Sequence, residues 1–373
     1  MRKSLLRISL GAFIATFLLL LATACGSSNA AQPPNPAPPP PTLVARVAIV
    51  GSQNDTISTF RVDRVTGKLQ NTGTIASSAP VSVAVTPSGR FAYAANFTAG
   101  TVSAFSVDAA NGTLRSIGSP VAAGSNPRIV VVHPNGKFVY VANVLSHDIS
   151  SFAIDVNTGL LTSIGVPVAT GDTPLAMTLD PGGKFAYVVN SIANTVSTFT
   201  IDTNTGLLTS SGSPIAAGLS PQSLMVHPSG KFLYVANVGS QDISVFAINP
   251  ADGTLTAASS LFVPGGAVLT DIAGDRSGKF VYASDFVGNG VFVFTVDAAT
   301  GALSPVGALV PTETGPISVR VEDSGKYLYV ANFNSNNLSV FAIEPGTGML
   351  TSVGPAIATG ASPVSIASIA QTQ

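Results

Sequence analysis

The sequence predicts an all-β fold, a seven-bladed β-propeller of four-stranded blades, and three observations predict it. The chain repeats itself at intervals of about 47 residues, each repeat carries four short runs with strand patterning, and the chain ends on the one run its first repeat lacks. Repetition at this period, with no sustained 3.6-residue periodicity, points to stacked β-units rather than a helical solenoid.

The repeat is read from aromatic markers. Tyr93, Tyr140, Tyr187, Tyr234, Tyr282 and Tyr329 follow one another at 47 or 48 residues, each just after a Gly-Lys/Arg-Phe/Tyr tripeptide. A second series, Phe60, Phe105, Phe152, Phe199, Phe246, Phe294 and Phe341, occurs seven times, and seven periods account for residues 43–373. Within one repeat, 127–132 is a β-branched apolar run, and His133-Pro134-Asn135-Gly136 turns into a second strand over 137–143. A third strand covers 148–155, Asn157-Thr158-Gly159 forms a tight hairpin, and a fourth covers 160–164. Radial stacking buries both faces of such sheets and leaves only short edges. Pro363–Ile369 matches the innermost strand (compare Pro80, Pro127, Pro174, Pro221 and Pro316) and then stops, so it is expected to complete the first blade and close the ring.

The motif Gly-Lys-Phe-x-Tyr-Val-Ala-Asn, carried by 140–143, 187–190, 234–237 and 329–332, resembles the Tyr-Val-Thr-Asn (YVTN) β-propeller repeats. It is also similar to the lactonase family of seven-bladed propellers, whose named member is 6-phosphogluconolactonase. The resemblance covers 43–373. It implies the fold and, as an activity, the opening of a sugar-type lactone by ester hydrolysis. The sixth repeat departs from it, with Ala283-Ser284-Asp285 in place of Val-Ala-Asn.

Ahead of the repeats stand Arg2, Lys3 and Arg7, an apolar run from Ile8 to Leu21, and Ala22-Thr23-Ala24-Cys25. The run is too short to cross about 30 Å of hydrocarbon comfortably, and with its small-residue end it reads as a signal peptide over 1–24. The only cysteine, Cys25, follows at once, which resembles the bacterial lipoprotein signal and implies a lipid on Cys25. Ordinary cleavage near Ala24 is the alternative. Residues 25–42 carry Pro33, Pro34, Pro36 and Pro38–Pro41, an extended spacer that cannot build a core. The expected location is therefore the cell envelope, with the propeller tethered to a membrane.

Composition narrows the partners. Only 9% of the 373 residues are charged, against about 25% in ordinary soluble domains. Formal charge is −1, and the three leader cations removed leave 14 basic residues against 18 acidic, a charge of −4. No basic stretch remains, so nucleic acid is excluded as a partner. No Gly-x-Ser-x-Gly elbow or phosphate loop occurs, and His133, His147 and His227 show no metal-ligand spacing, so no metal or cofactor is expected. Trp is absent, which speaks against quinone-cofactor propellers.

Candidate site residues are sought where innermost strands begin. Arg128, Gln222 and Asp271 are polar there among apolar or small residues, either as solvated rim groups or as a cluster gripping a carboxylate, phosphate or sugar. Arg320 replaces Ala84, Val131, Thr178, Met225 or Ala367 of other strands, and Glu322 two residues on is expected on the same face. Arg320 and Glu322 either form a structural pair, or Arg320 polarises a lactone carbonyl with Asp271 or Glu322 as general base. The polar series Thr86, His133, Asp180, His227, Asp275 and Glu322, and the series Asn96, Asn143, Asn190, Asn237, Asp285 and Asn332, read as turn caps. Two functions remain open: a lipoprotein binding a small sugar, a lactone or an envelope protein at the channel mouth, and a lactone hydrolase.

Overall fold

The chain divides into Met1–Thr42 and Leu43–Gln373, and the computed structural model describes residues 46–369. The expected signal peptide, Cys25 and the Pro-rich spacer lie outside the described residues. The second unit is a seven-bladed propeller, and its strand content is the one the repeat predicts. Innermost strands are Pro80–Val85, Pro127–Val132, Pro174–Leu179, Pro221–Val226, Leu269–Gly274, Pro316–Val321 and Pro363–Ile369. The last of these pairs antiparallel with Arg46–Ser52, so the C-terminal strand completes the first blade.

Each blade is an antiparallel meander. In the third blade Pro127–Val132, Phe138–Asn143, Asp148–Ile154 and Leu161–Ser163 follow in order. The fourth strand is shorter than the sequence pattern suggests. Gly165 takes φ +64° and Pro167 has no N–H to donate, so the ladder breaks and resumes as Val168–Ala169. The first and fifth blades instead carry unbroken outer strands, Leu69–Ala76 and Leu255–Phe262.

The core lies between blades rather than within them. Second strands such as Phe138–Asn143 are buried along their whole length. One cluster joins Phe91, Tyr93 and Ala95 of the second blade to Val130, Val139, Val141 and Phe152 of the third. The tyrosines add a directional bond at each seam. Tyr140 donates to the Gly206 carbonyl of the next blade at 3.0 Å, and Tyr93, Tyr187, Tyr234 and Tyr282 do the same to Gly159, Gly253, Gly301 and Gly348. Gly206 is required twice over. Its φ is +75°, and an added Cβ would stand 2.4 Å from the Phe138 ring.

The closing seam departs from this pattern. There Tyr327 donates to the Val65 carbonyl at 2.7 Å, its ring lies against Gly67, and the buried Tyr329 hydroxyl has no hydrogen-bond partner. The two hydroxyls should therefore differ in stability experiments. Tyr140→Phe orphans the Gly206 carbonyl and should cost about 1 kcal/mol by urea unfolding, whereas Tyr329→Phe should be neutral or slightly stabilising. Equal costs at the two positions would contradict this account of the seams.

Candidate ligand-binding site

The residues that enter the channel are placed by a repeated irregularity. Each innermost strand opens with a β-bulge, as between Pro80 and Ser82, where one residue is left without a cross-strand partner. In the third blade Pro127 pairs with Asn143 and Ile129 with Ala142, so Arg128 is the bulged residue; in the fifth the bulge falls on Gln222. Bulges re-aim side chains. Here Arg128 and Gln222 line a small cavity of about 110 Å³ together with Leu175, Thr270, Ile317 and Val364.

Asp271 lies one rung deeper than Arg128, because the one-residue insertion in the fifth repeat shifts the count. Its rung is Ser82, Ile129, Ala176, Ser223, Asp271, Ser318 and Ser365, and these seven residues line both the entrance cavity and a larger chamber of about 580 Å³. They form a collar between the two. Around the collar, a side-chain oxygen of one blade accepts a backbone N–H of the next, as Ser82 Oγ does from Val130 (3.2 Å) and Ser365 Oγ from Val83 (3.1 Å). Asp271 extends the pattern. Its Oδ1 accepts from Ser223 Oγ (2.6 Å) and from its neighbour's amide at Ile272 (2.9 Å), and its Oδ2 accepts from the Val319 amide (2.9 Å). Ser318 donates to it as well. Burial pushes the Asp271 carboxyl above its ordinary value, against the pull of these bonds.

Arg128 is half-buried, and burial lowers its affinity for a proton while the Asp271 charge across the mouth raises it. Among the described residues, ion pairs join Arg46 to Glu322, His147 to Asp172 and Arg276 to Asp323. Neither Arg128 nor Arg320 takes part in one. Arg320 is exposed to the larger chamber, where its Nε donates to Ser368 Oγ at 3.4 Å.

The expectation for Glu322 is corrected. The strand ends at Val321, and Glu322 turns out of the channel into the closing seam. There it is 1% exposed, pairs with Arg46 Nη1 of the first blade at 3.1 Å and accepts the amide and hydroxyl of Ser324. It shares no site with Arg320 or Asp271. The rest of its series caps turns as expected: Asp180 accepts from the Phe185 amide at 2.6 Å, Asp275 from Phe280 at 2.8 Å, and His133 Nδ1 from Asn135 at 3.1 Å. The asparagines brace the turns at the entrance end. Asn143 Nδ2 donates to Asp148 and Ser150, and Asn190 Nδ2 to Thr195 and Ser197. The sequence reading missed the collar and the partner of Glu322. The collar had a signal, since Pro-x-Ser opens four innermost strands, at Pro80, Pro221, Pro316 and Pro363. Arg46 had none.

Comparison with known proteins bears on the whole unit. The family model for the lactonase seven-bladed β-propeller matches residues 76–177, 169–270 and 263–367. No curated protein matches the sequence. Among solved structures, a candidate 6-phosphogluconolactonase from Bacteroides fragilis superposes with a TM-score of 0.79 at 26% identity, covering 89% of this chain and 100% of its own. Another from Bacteroides uniformis gives 0.79 at 24%, covering 87% and 99%. The periplasmic gluconolactonase of Pseudomonas aeruginosa gives 0.77 at 19%, again covering 87% and 99%, a likeness of fold.

The reassignment of Glu322 can be checked without any ligand. Arg46→Met leaves a buried carboxylate uncompensated and should cost about 3 kcal/mol, while Arg46→Met with Glu322→Leu should recover most of it. Chemical denaturation measures both. A double variant no more stable than the single one would refute the pairing.

Proposed function

The chain belongs to the lactonase family of seven-bladed β-propellers, and we propose that it binds a small sugar-type lactone or its ring-opened acid at the channel entrance, held by Arg128. One observation carries this reading. A half-buried guanidinium lines the mouth with Gln222 and takes part in no ion pair among the described residues. Arginine presents a planar fork of donors suited to a carboxylate or an ester carbonyl, and partial desolvation strengthens that contact. Asp271 faces it with a full set of hydrogen bonds, and its charge across the mouth favours the protonated guanidinium. Gln222 supplies both a donor and an acceptor for hydroxyl groups.

Lactone hydrolysis is the second reading, and family membership favours it. Water would add to the lactone carbonyl, the ring C–O bond would break, and the new acid would release a proton. The step asks for a general base with a free lone pair, and Asp271 has spent its own. Binding therefore fits the entrance better than turnover.

We also propose that the protein is exported and lipid-anchored, which rests on the basic start, the apolar run and Cys25. Metabolic labelling with a fatty acid should mark the wild type and fail in Cys25→Ser.

Calorimetry with gluconate and pH-stat titration with a panel of sugar lactones, one of them phosphorylated, separate the two functions. Saturable binding that weakens about tenfold or more in Arg128→Gln, the loss expected for a charged hydrogen bond, with no proton release above the spontaneous rate, is the expected result. Turnover abolished by the same substitution would establish the hydrolase instead. Binding indifferent to Arg128→Gln would remove the entrance site altogether.

A further inference from the structure

We propose that the chamber beyond the Asp271 collar is a second, separate site that binds a small oxyanion through Arg320. All seven blades line this space of about 580 Å³. The residues in register with Arg320 are Ala84, Val131, Thr178, Met225, Ala273 and Ala367, so its own rung holds no carboxylate. Among the described residues its one hydrogen bond runs from Nε to Ser368 Oγ at 3.4 Å, so both terminal nitrogens of this chamber-lining guanidinium are without a protein partner.

The other charged groups lining the chamber do not neutralise it. Asp271 is saturated by Ser223, Ser318 and two backbone amides. Arg276 and Asp323, at the far end, hold each other at 2.7 Å. Glu322, the nearest carboxylate along the chain, is turned away into the seam with Arg46. Arg320 is exposed to the chamber and has no ion-pair partner among the described residues, so an anion that enters finds a cation free to pair with it. The fork geometry of its free nitrogens selects a group with two oxygens in one plane, a carboxylate or a phosphate. A sheet edge faces the same lumen from every blade and supplies further backbone donors. The two cavities lie on opposite sides of the collar, so this site does not depend on the one at Arg128.

The test uses the full chain carrying Arg128→Gln, so that the entrance makes no contribution. Malonate and inorganic phosphate serve as probes in calorimetry at low salt. One saturable site per chain is expected. It should weaken about tenfold or more in Arg320→Gln, the worth of a charged hydrogen bond, and less in Arg320→Lys, which keeps the charge and loses the fork. Ser368→Asp should abolish binding with Arg320 in place, because it supplies an internal carboxylate, and this guards against a folding defect in the arginine variants. Thermal melting confirms that each variant is folded. Preference for malonate identifies a carboxylic acid and preference for phosphate a phosphorylated compound, and either supports the site. No saturable binding of either probe, or binding unchanged in Arg320→Gln, overturns it.

Discussion

Each blade of this protein is apolar on both faces and can cover neither by itself. The second strands show it most plainly, since Phe138–Asn143 and five of its counterparts are buried from end to end, and the sixth, Arg46–Ser52, is buried at every residue but Arg46. Their burial comes from neighbouring blades, and the neighbour of the last is the first. A linear stack would leave two such faces in water, each with several large side chains at about 1.5–3 kcal/mol apiece. The ring, the C-terminal strand in the first blade and the Tyr-to-Gly bonds across the seams all follow from that requirement. So does the channel. Innermost strands pair on one side only, which leaves seven free edges around the axis, and whatever the protein binds there meets side chains that the first rungs of those strands present.

Much of this was legible in the sequence because repetition makes one inference count seven times. The strand content, the closure by Pro363–Ile369 and the turn-capping role of Asp180, Asp275 and His133 could each be read from several copies. What could not be read falls into two kinds. The break between Leu161–Ser163 and Val168–Ala169 depends on how far a ladder survives Gly165 and Pro167, a local balance the alternation pattern does not report. The Arg46–Glu322 pair joins the first and seventh blades, residues far apart in the sequence, and neither belongs to a repeated series of pairs. Spacing put Glu322 on the face of Arg320, but the i, i+2 rule holds only while the strand continues, and this one ends at Val321.

In a repeat protein, a residue that breaks the repeat needs its own explanation. Four charged departures stand out: Arg128, Asp271, Arg320 and Glu322. Glu322 is explained by Arg46 and by the serine that caps its turn. Asp271 is explained in part by the collar, where it replaces a serine and ties three successive blades together. The two arginines are not consumed in this way. Neither forms an ion pair, and each opens onto a cavity, one above the collar and one below. The distinction between charge spent on the scaffold and charge left over is what separates site residues from architectural ones here, and position in the sequence alone does not make it.

The same accounting decides between holding a ligand and transforming it. Ester hydrolysis needs a donor at the carbonyl and a base for the attacking water. The entrance has the first in Arg128. For the second, its lining contains one ionisable acid, Asp271, and no histidine. Four donors already converge on that carboxyl, which leaves it poorly placed to take up an attacking water as well. Donors without an available base stabilise an oxyanion or carboxylate once it exists and give water no help in forming it. An entrance built this way is better matched to a ring-opened acid than to the lactone, so the affinity of the acid relative to its lactone is the quantity that most directly reports which half of the reaction coordinate this site resembles.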